Sequence, residues 1–151
     1  MTAASTIDPH VDAQVRHLIA RYSWALDTGD LATLETLFTP DCLVQDTSGA
    51  RHEGRDAALA YFGTLTRLPE FRGRRHHIDN LVYLSCGDTC RLKAYWFVEK
   101  WEAASGQKTI NVSGHSEDLI VLRDGAWRFA ERVLHYWRDR DGPWFDGSVL
   151  A

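Results

Sequence analysis

Arg74-Arg75-His76-His77-Ile78-Asp79-Asn80-Leu81-Val82-Tyr83-Leu84-Ser85-Cys86, followed by Gly87-Asp88, is where the chain changes character. From Ile78 onward the apolar residues recur at a shorter interval than a helix uses, and the stretch ends in a turn signal. Further turn signals at Ser105-Gly106 and Asp124-Gly125 divide the remainder into four strands, predicted near His76 to Ser85, Thr89 to Glu102, Lys108 to Arg123 and Ala126 to Trp137. Turn-linked strands in this order predict a meandering antiparallel sheet. Strands this long must twist or bend.

Upstream the period is helical. Val11, Val15, Leu18, Ile19, Tyr22 and Leu26 recur at spacings of three and four, with Asp8-Pro9 to start a helix and Gly29 to stop it. A short helix is predicted over Leu31 to Leu37, ended by Pro40, and a short strand over Cys42 to Gln45. A third helix over Ala57 to Leu65 carries the stripe Ala58, Leu59, Phe62 and Leu65. The fold class is therefore α+β, with three N-terminal helices packed in a strongly curved antiparallel sheet that forms a cone with an internal pocket. Residues 1–137 are assigned to this domain. Residues 138–151, with Gly142-Pro143-Trp144-Phe145, form a tail without period that reads either as a lid over the pocket or as a loose end.

With 151 residues the chain suits one domain able to bury a core without metal or disulfides. A net charge of −4, with no basic run beyond Arg72 to Arg75, argues against nucleic acid as a partner. That cluster reads as a solvated strand entry. No apolar run approaches a membrane span and Met1 to His10 carry no secretory signal, so a cytoplasmic location is expected. Cys42, Cys86 and Cys90 are too few for a four-thiolate zinc site and suit a reducing compartment. Cys86 and Cys90 read as free thiols facing across a hairpin, with a disulfide as the alternative. Gly-rich phosphate loops, HExxH and GxSxG are absent.

One charge sits against local preference. Asp27 lies in the last turn of the first helix, where the negative end of the helix dipole repels it. A residue that breaks a local rule is a candidate for chemistry, and a histidine opening the strand at His76-His77 is placed to meet it across the pocket. The plain alternative for Asp27 is a solvated helix end. Tyr22 is about 140° around the helix from Asp27, so spacing leaves it equally a core tyrosine or a site residue. His76 and His77 point to opposite faces of a strand and cannot chelate one metal. On the last strand Ala126, Arg128, Ala130, Arg132, Leu134 and Tyr136 are predicted to share one face. An inward Arg132 would then need a partner. His115 and Glu117 share a face of their strand, where His115 also reads as a satisfied structural histidine. His52 and His135 carry no partner pattern.

The runs Arg21-Tyr22-Ser23-Trp24-Ala25-Leu26-Asp27-Thr28-Gly29-Asp30, Leu34-Glu35-Thr36-Leu37-Phe38-Thr39-Pro40-Asp41, Gly54-Arg55-Asp56-Ala57, Arg75-His76-His77-Ile78-Asp79-Asn80 and Arg123-Asp124-Gly125-Ala126-Trp127-Arg128-Phe129-Ala130-Glu131-Arg132 resemble the SnoaL-like branch of the nuclear-transport-factor-2-like superfamily. The resemblance covers nearly the whole chain apart from the tail. It implies the cone fold, and it places Asp27 and His76 where hexachlorocyclohexane dehydrochlorinase, scytalone dehydratase and bile-acid dehydratase hold an Asp-His pair. Only the resemblance selects His76 over His77. Tyr22 resembles a tyrosine of the bile-acid enzyme, and Arg132 an arginine that supports the dehydrochlorinase pocket.

These residues suit elimination. An imidazole titrates near working pH and can take a proton from carbon, while a carboxylate on its other nitrogen fixes the tautomer and stabilises the imidazolium. His76 is expected to be the base, Asp27 its orienting carboxylate, Tyr22 a donor to the departing or carbonyl oxygen, and Arg132 a holder of developing negative charge. Trp96, His115 and Trp24 are assigned to substrate binding, Trp96 as a wall for a flat ring. The expectation is a cofactor-independent lyase of dehydratase type, with no cofactor or metal, acting on a small hydrophobic cyclic or aromatic molecule. The alternatives are an isomerase or epoxide hydrolase in which Asp27 acts directly, or a non-catalytic ligand-binding or dioxygenase small-subunit-like protein. The resemblance also implies a homodimer through the outer sheet face.

Overall fold

The computed structural model describes residues 7–137. The 138–151 tail, with its expected lid role, lies outside the described residues. The element order is α1 (Pro9–Thr28), α2 (Leu31–Leu37), β1 (Phe38–Gln45), β2 (Arg51–Glu53), α3 (Arg55–Leu65), a 3-10 turn (Pro69–Phe71), β3 (Arg74–Cys86), β4 (Thr89–Glu102), β5 (Gln107–Arg123) and β6 (Ala126–Tyr136).

The ends of α1 follow from local chemistry. The Asp8 carboxylate accepts from the His10 backbone N–H with Pro9 in the first turn. Gly29 ends the helix at φ 69°, its N–H returning to the carbonyls of Ala25 and Leu26. Asp30 follows at once as the cap of α2, accepting from Thr33 N and Thr33 Oγ1. This tight junction points the last turn of α1, and Asp27 with it, at the sheet. Val15, Leu18, Ile19, Tyr22 and Leu26 are buried along one stripe of α1.

The sheet has six strands in the order β2-β1-β6-β5-β4-β3. β3 to β6 form the expected antiparallel meander. β1 is longer than its predicted span and runs parallel to β6, which makes the sheet mixed, and the three-residue β2 pairs with its far edge. The β1-β6 pairing has no signal in the sequence, since it joins segments distant along the chain, whereas β1 and β2 form a short local hairpin in which three-residue β2 is too brief to show a period. The bend comes from register shifts between Asp79 and Val82, Tyr83 and Ser85, Val98 and Glu99, and Leu119 and Ile120. Asn80 adopts φ 54° at the first of these. On β4 the inner face is Cys90, Leu92, Ala94, Trp96 and Val98, all buried.

Two expectations change. Cys86 and Cys90 are joined in a disulfide across the β3-β4 hairpin, so the free-thiol reading gives way to its alternative, while Cys42 is buried and free. The face predicted on β6 is also broken. Ile120 pairs with Phe129 and Leu119 with Glu131, leaving Ala130 as an extra residue. Trp127 and Phe129 are therefore buried before the bulge and Arg132 after it, while Ala126 is exposed and Arg128 and Ala130 are only partly covered. A bulge of one residue inverts the alternation, which is why strict period-two counting failed here.

Gly114 marks the closest approach of backbone to wall. A Cβ there would collide with the His135 carbonyl and the Trp96 ring. Gly114→Ala is expected to cost about 1–3 kcal/mol by overpacking, read as a lower urea midpoint.

Candidate active site

The curved sheet and the helices enclose a cavity of about 200 Å³. Tyr22 and Leu26 of α1, Tyr61, Phe62 and Leu65 of α3, and Phe71 of the 3-10 turn form one side. The sheet supplies Arg74, His76 and Ile78 from β3, Trp96 and Val98 from β4, Val112 from β5, and Arg132, Leu134 and Tyr136 from β6. No Asp or Glu is among the described residues lining it. At about 30 Å³ per water, the volume holds roughly seven waters, or one small organic ring with substituents.

Asp27 meets His76 at the edge of this cavity. Its Oδ1 lies 2.5 Å from His76 Nδ1, and its Oδ2 accepts the His76 backbone N–H at 3.0 Å. The side chains are 7% and 15% exposed, respectively. His76 lines the cavity and Asp27 stands behind it. With Nδ1 turned to the carboxylate, Nε2 is the nitrogen left to act elsewhere. His77 points to the other side of the sheet, stacked on Phe97 with ring centroids 4.5 Å apart.

Deeper in, Arg132 is 1% exposed. Its Nη1 donates to both Asp118 oxygens, at 2.8 and 2.9 Å, and Ser116 Oγ donates to Asp118 Oδ2 at 2.8 Å. The guanidinium lies over the Tyr22 ring at 4.4 Å. Burial opposes the Arg132 charge, but Asp118 and Tyr22 outweigh it and hold the group above its ordinary value. Burial raises Asp118, opposed by Arg132 and Ser116. Burial also raises Tyr22 against the pull of Arg132, which keeps its hydroxyl a neutral donor. Three buried N–H groups on the cavity residues have no acceptor, Arg74 Nε, Arg132 Nε and Trp96 Nε1.

Asp27, His76, Tyr22, Arg132 and Trp96 are thus gathered around one cavity. Two predicted substrate contacts are not. Trp24 is 73% exposed and faces away from the cone, because it lies off the buried stripe of α1. His115 lies on the opposite sheet face, since Gly114 and Ser116 are its inward neighbours. There it stacks on His135 at 4.4 Å and accepts from Trp137 Nε1 at 3.0 Å. His115, Glu117 and His135 offer ligand atoms within 4.8 Å of one another, the one such metal-capable group among the described residues. Lys93 pairs with Glu117 at 3.2 Å. Burial and the neighbouring His135 lower the His115 pKa.

His52, which showed no partner pattern, meets Asp46 at 3.0 Å and stacks on Tyr61 at 4.2 Å. Asp118 was also missed. Its signal was a carboxylate at the inward register of an apolar strand, opposite the arginine that needed one.

The profile of the SnoaL-like domain family matches residues 10–133. The chain belongs to this family. Among solved structures it is similar to a variant of Rv3472, a protein of unknown function from Mycobacterium tuberculosis, at 28% identity and TM-score 0.78, covering 91% of this chain and 82% of that one. It is also similar to a putative scytalone dehydratase from Novosphingobium aromaticivorans at 25% identity and TM-score 0.67, covering 83% of each chain. A third similar structure is the beta subunit of a putative aromatic-ring-hydroxylating dioxygenase from the same organism, at 24% identity and TM-score 0.70, covering 85% and 90%. No curated protein matches the chain. No described helix is long and apolar enough to cross a membrane.

In this SnoaL-like domain the Arg132 and Asp118 charges are buried together, so removing one strands the other. Asp118→Ala is expected to cost about 3–5 kcal/mol, while Asp118→Leu combined with Arg132→Met is expected to cost far less than the two single changes summed. Urea unfolding of the wild type, Asp118→Ala, the two single changes and the double change measures this.

Proposed function

We propose that the protein is a cofactor-independent lyase of dehydratase type, acting on a small, largely apolar cyclic or aromatic molecule. The observation that carries this reading is the orientation of the pair. Both Asp27 oxygens are engaged by His76, and it is His76 that lines the cavity. A carboxylate so occupied orients and supports an imidazole. The same fact disfavours an isomerase or epoxide hydrolase in which Asp27 acts on substrate or water itself.

In the proposed step His76 Nε2 takes a proton from carbon, the C–H electron pair forms the new double bond, and the C–OH bond breaks. The Tyr22 hydroxyl protonates the departing oxygen to give water, and the His76 imidazolium then returns a proton to Tyr22. Arg132 Nε–H and Trp96 Nε1–H are buried donors for oxygen that gains charge on the way. The similar structure named as a putative scytalone dehydratase agrees with this reaction class. Exposed Tyr95, Phe97, Trp101 and Ile110 on the outer sheet support a homodimer through that face, to be read as a doubled mass in solution.

Screening small cyclic β-hydroxy ketones for loss of water tests the reaction. His76→Ala is expected to lower turnover by about 10²–10⁴-fold and Asp27→Asn to lower it strongly as well, with circular dichroism unchanged. Unchanged turnover in either variant would remove these residues from the mechanism.

A further inference from the structure

The Arg72 to Arg75 cluster does not read in the structure as a solvated strand entry throughout. Arg72 and Arg75 are exposed, but Arg74 sits in register with His76 and Ile78 on the inner face of β3 and lines the cavity. Its Nε is buried and has no acceptor. Among the described residues no carboxylate lies within ion-pair distance of it. Two arginines therefore line one cavity and differ in kind. Arg132 is neutralised by Asp118, whereas Arg74 has no partner carboxylate among the described residues, and none of those that line the cavity is an acid.

Arg74 is also fixed in position. Its guanidinium lies 5.5 Å from the centroid of Phe71, and the His76 ring lies 5.8 Å from the same buried ring. Arg74 and His76 are two residues apart on a strand, a separation of about 7 Å. A single ring carrying a carboxylate spans that distance.

We propose that the ligand of this cavity carries a carboxylate, which pairs with Arg74 and presents an apolar ring to His76. Arg74 is then the residue that selects acids over neutral molecules of the same shape, through charge-assisted hydrogen bonds in a largely apolar site. The inference deepens the elimination reading and rests on it for the site, but it is tested by binding, without turnover.

The probes are isosteric acid and amide pairs: benzoate with benzamide, phenylacetate with phenylacetamide, and cinnamate with cinnamamide. Calorimetric titration of the wild-type protein is expected to favour at least one acid over its amide by about tenfold or more. His76→Ala keeps that preference, Arg74→Lys keeps part of it, and Arg74→Gln brings it to within about twofold. If Arg74→Gln does not fold, the Arg74 Nε–H resonance of the wild-type protein serves instead, shifting with the preferred acid and not with its amide. Equal binding of acids and amides, binding of no acid, or a preference that survives Arg74→Gln overturns the proposal. An acid preference that follows Arg74, in a protein whose turnover is indifferent to His76→Ala, would retain the anchor and defeat the elimination. Dehydration that needs His76 with no acid preference would do the reverse.

Discussion

A single carboxylate ties the end of α1 to the first strand of the meander. Asp27 bears an unfavourable position at the negative end of a helix dipole, a cost of about 0.3–1 kcal/mol. Two hydrogen bonds to one residue, backbone and ring of His76, offset it, since bonds to a charged group contribute about 1.5–3 kcal/mol each. The helix end is thereby fixed against the sheet at one point. The imidazole is fixed by the same contact, and the cavity opens on its far side. Architecture and candidate chemistry thus share one interaction.

Around that contact, the cavity walls divide the work of shape and charge. Bulges bend the long strands, and the bend makes room inside the sheet. Gly114 lets the Trp96 ring lie against backbone, which keeps the cavity wall thin. Arg132 and Asp118 are buried as a pair, with Ser116 donating to Asp118 and the Tyr22 ring lying under the guanidinium, while Arg132 Nε keeps no acceptor. Burying two charges seldom adds stability over apolar side chains. Their presence beside the cavity is better explained by the donor that Arg132 leaves unpaired.

Much of this was open to reading from the chain. The helical stripe of α1, its Gly29 stop, the three hairpin turns and the meander rest on local periodicity, and local periodicity survives folding. Asp27 and His76 were legible for a different reason, one as a charge against its dipole and both through motifs resembling a family. What was hidden depends on pairing and register. The parallel pairing of β1 with β6 joins segments that no local pattern links, the match of Asp118 with Arg132 across the β5-β6 hairpin turns on a register that the bulge shifts, and His52 meets Asp46 only once the short β2 pairs with β1. The bulge at Ala130 misled in another way, because one inserted residue reverses every inward assignment on one side of it. Trp24 and His115 were placed in the cavity on residue type alone, and their neighbours put them outside. Arg74 was hidden among exposed arginines until the register of β3 separated it from them.

The central claim is that Asp27 holds His76 with Nδ1 turned to the carboxylate and Nε2 free toward the cavity. Nitrogen-15 NMR of the histidine side chains measures this directly, with Asp27→Asn identifying the His76 signals. At a pH where the ring is neutral, the account predicts a proton on Nδ1 and a bare Nε2. A neutral ring protonated on Nε2, or His76 signals unmoved by Asp27→Asn, would contradict it.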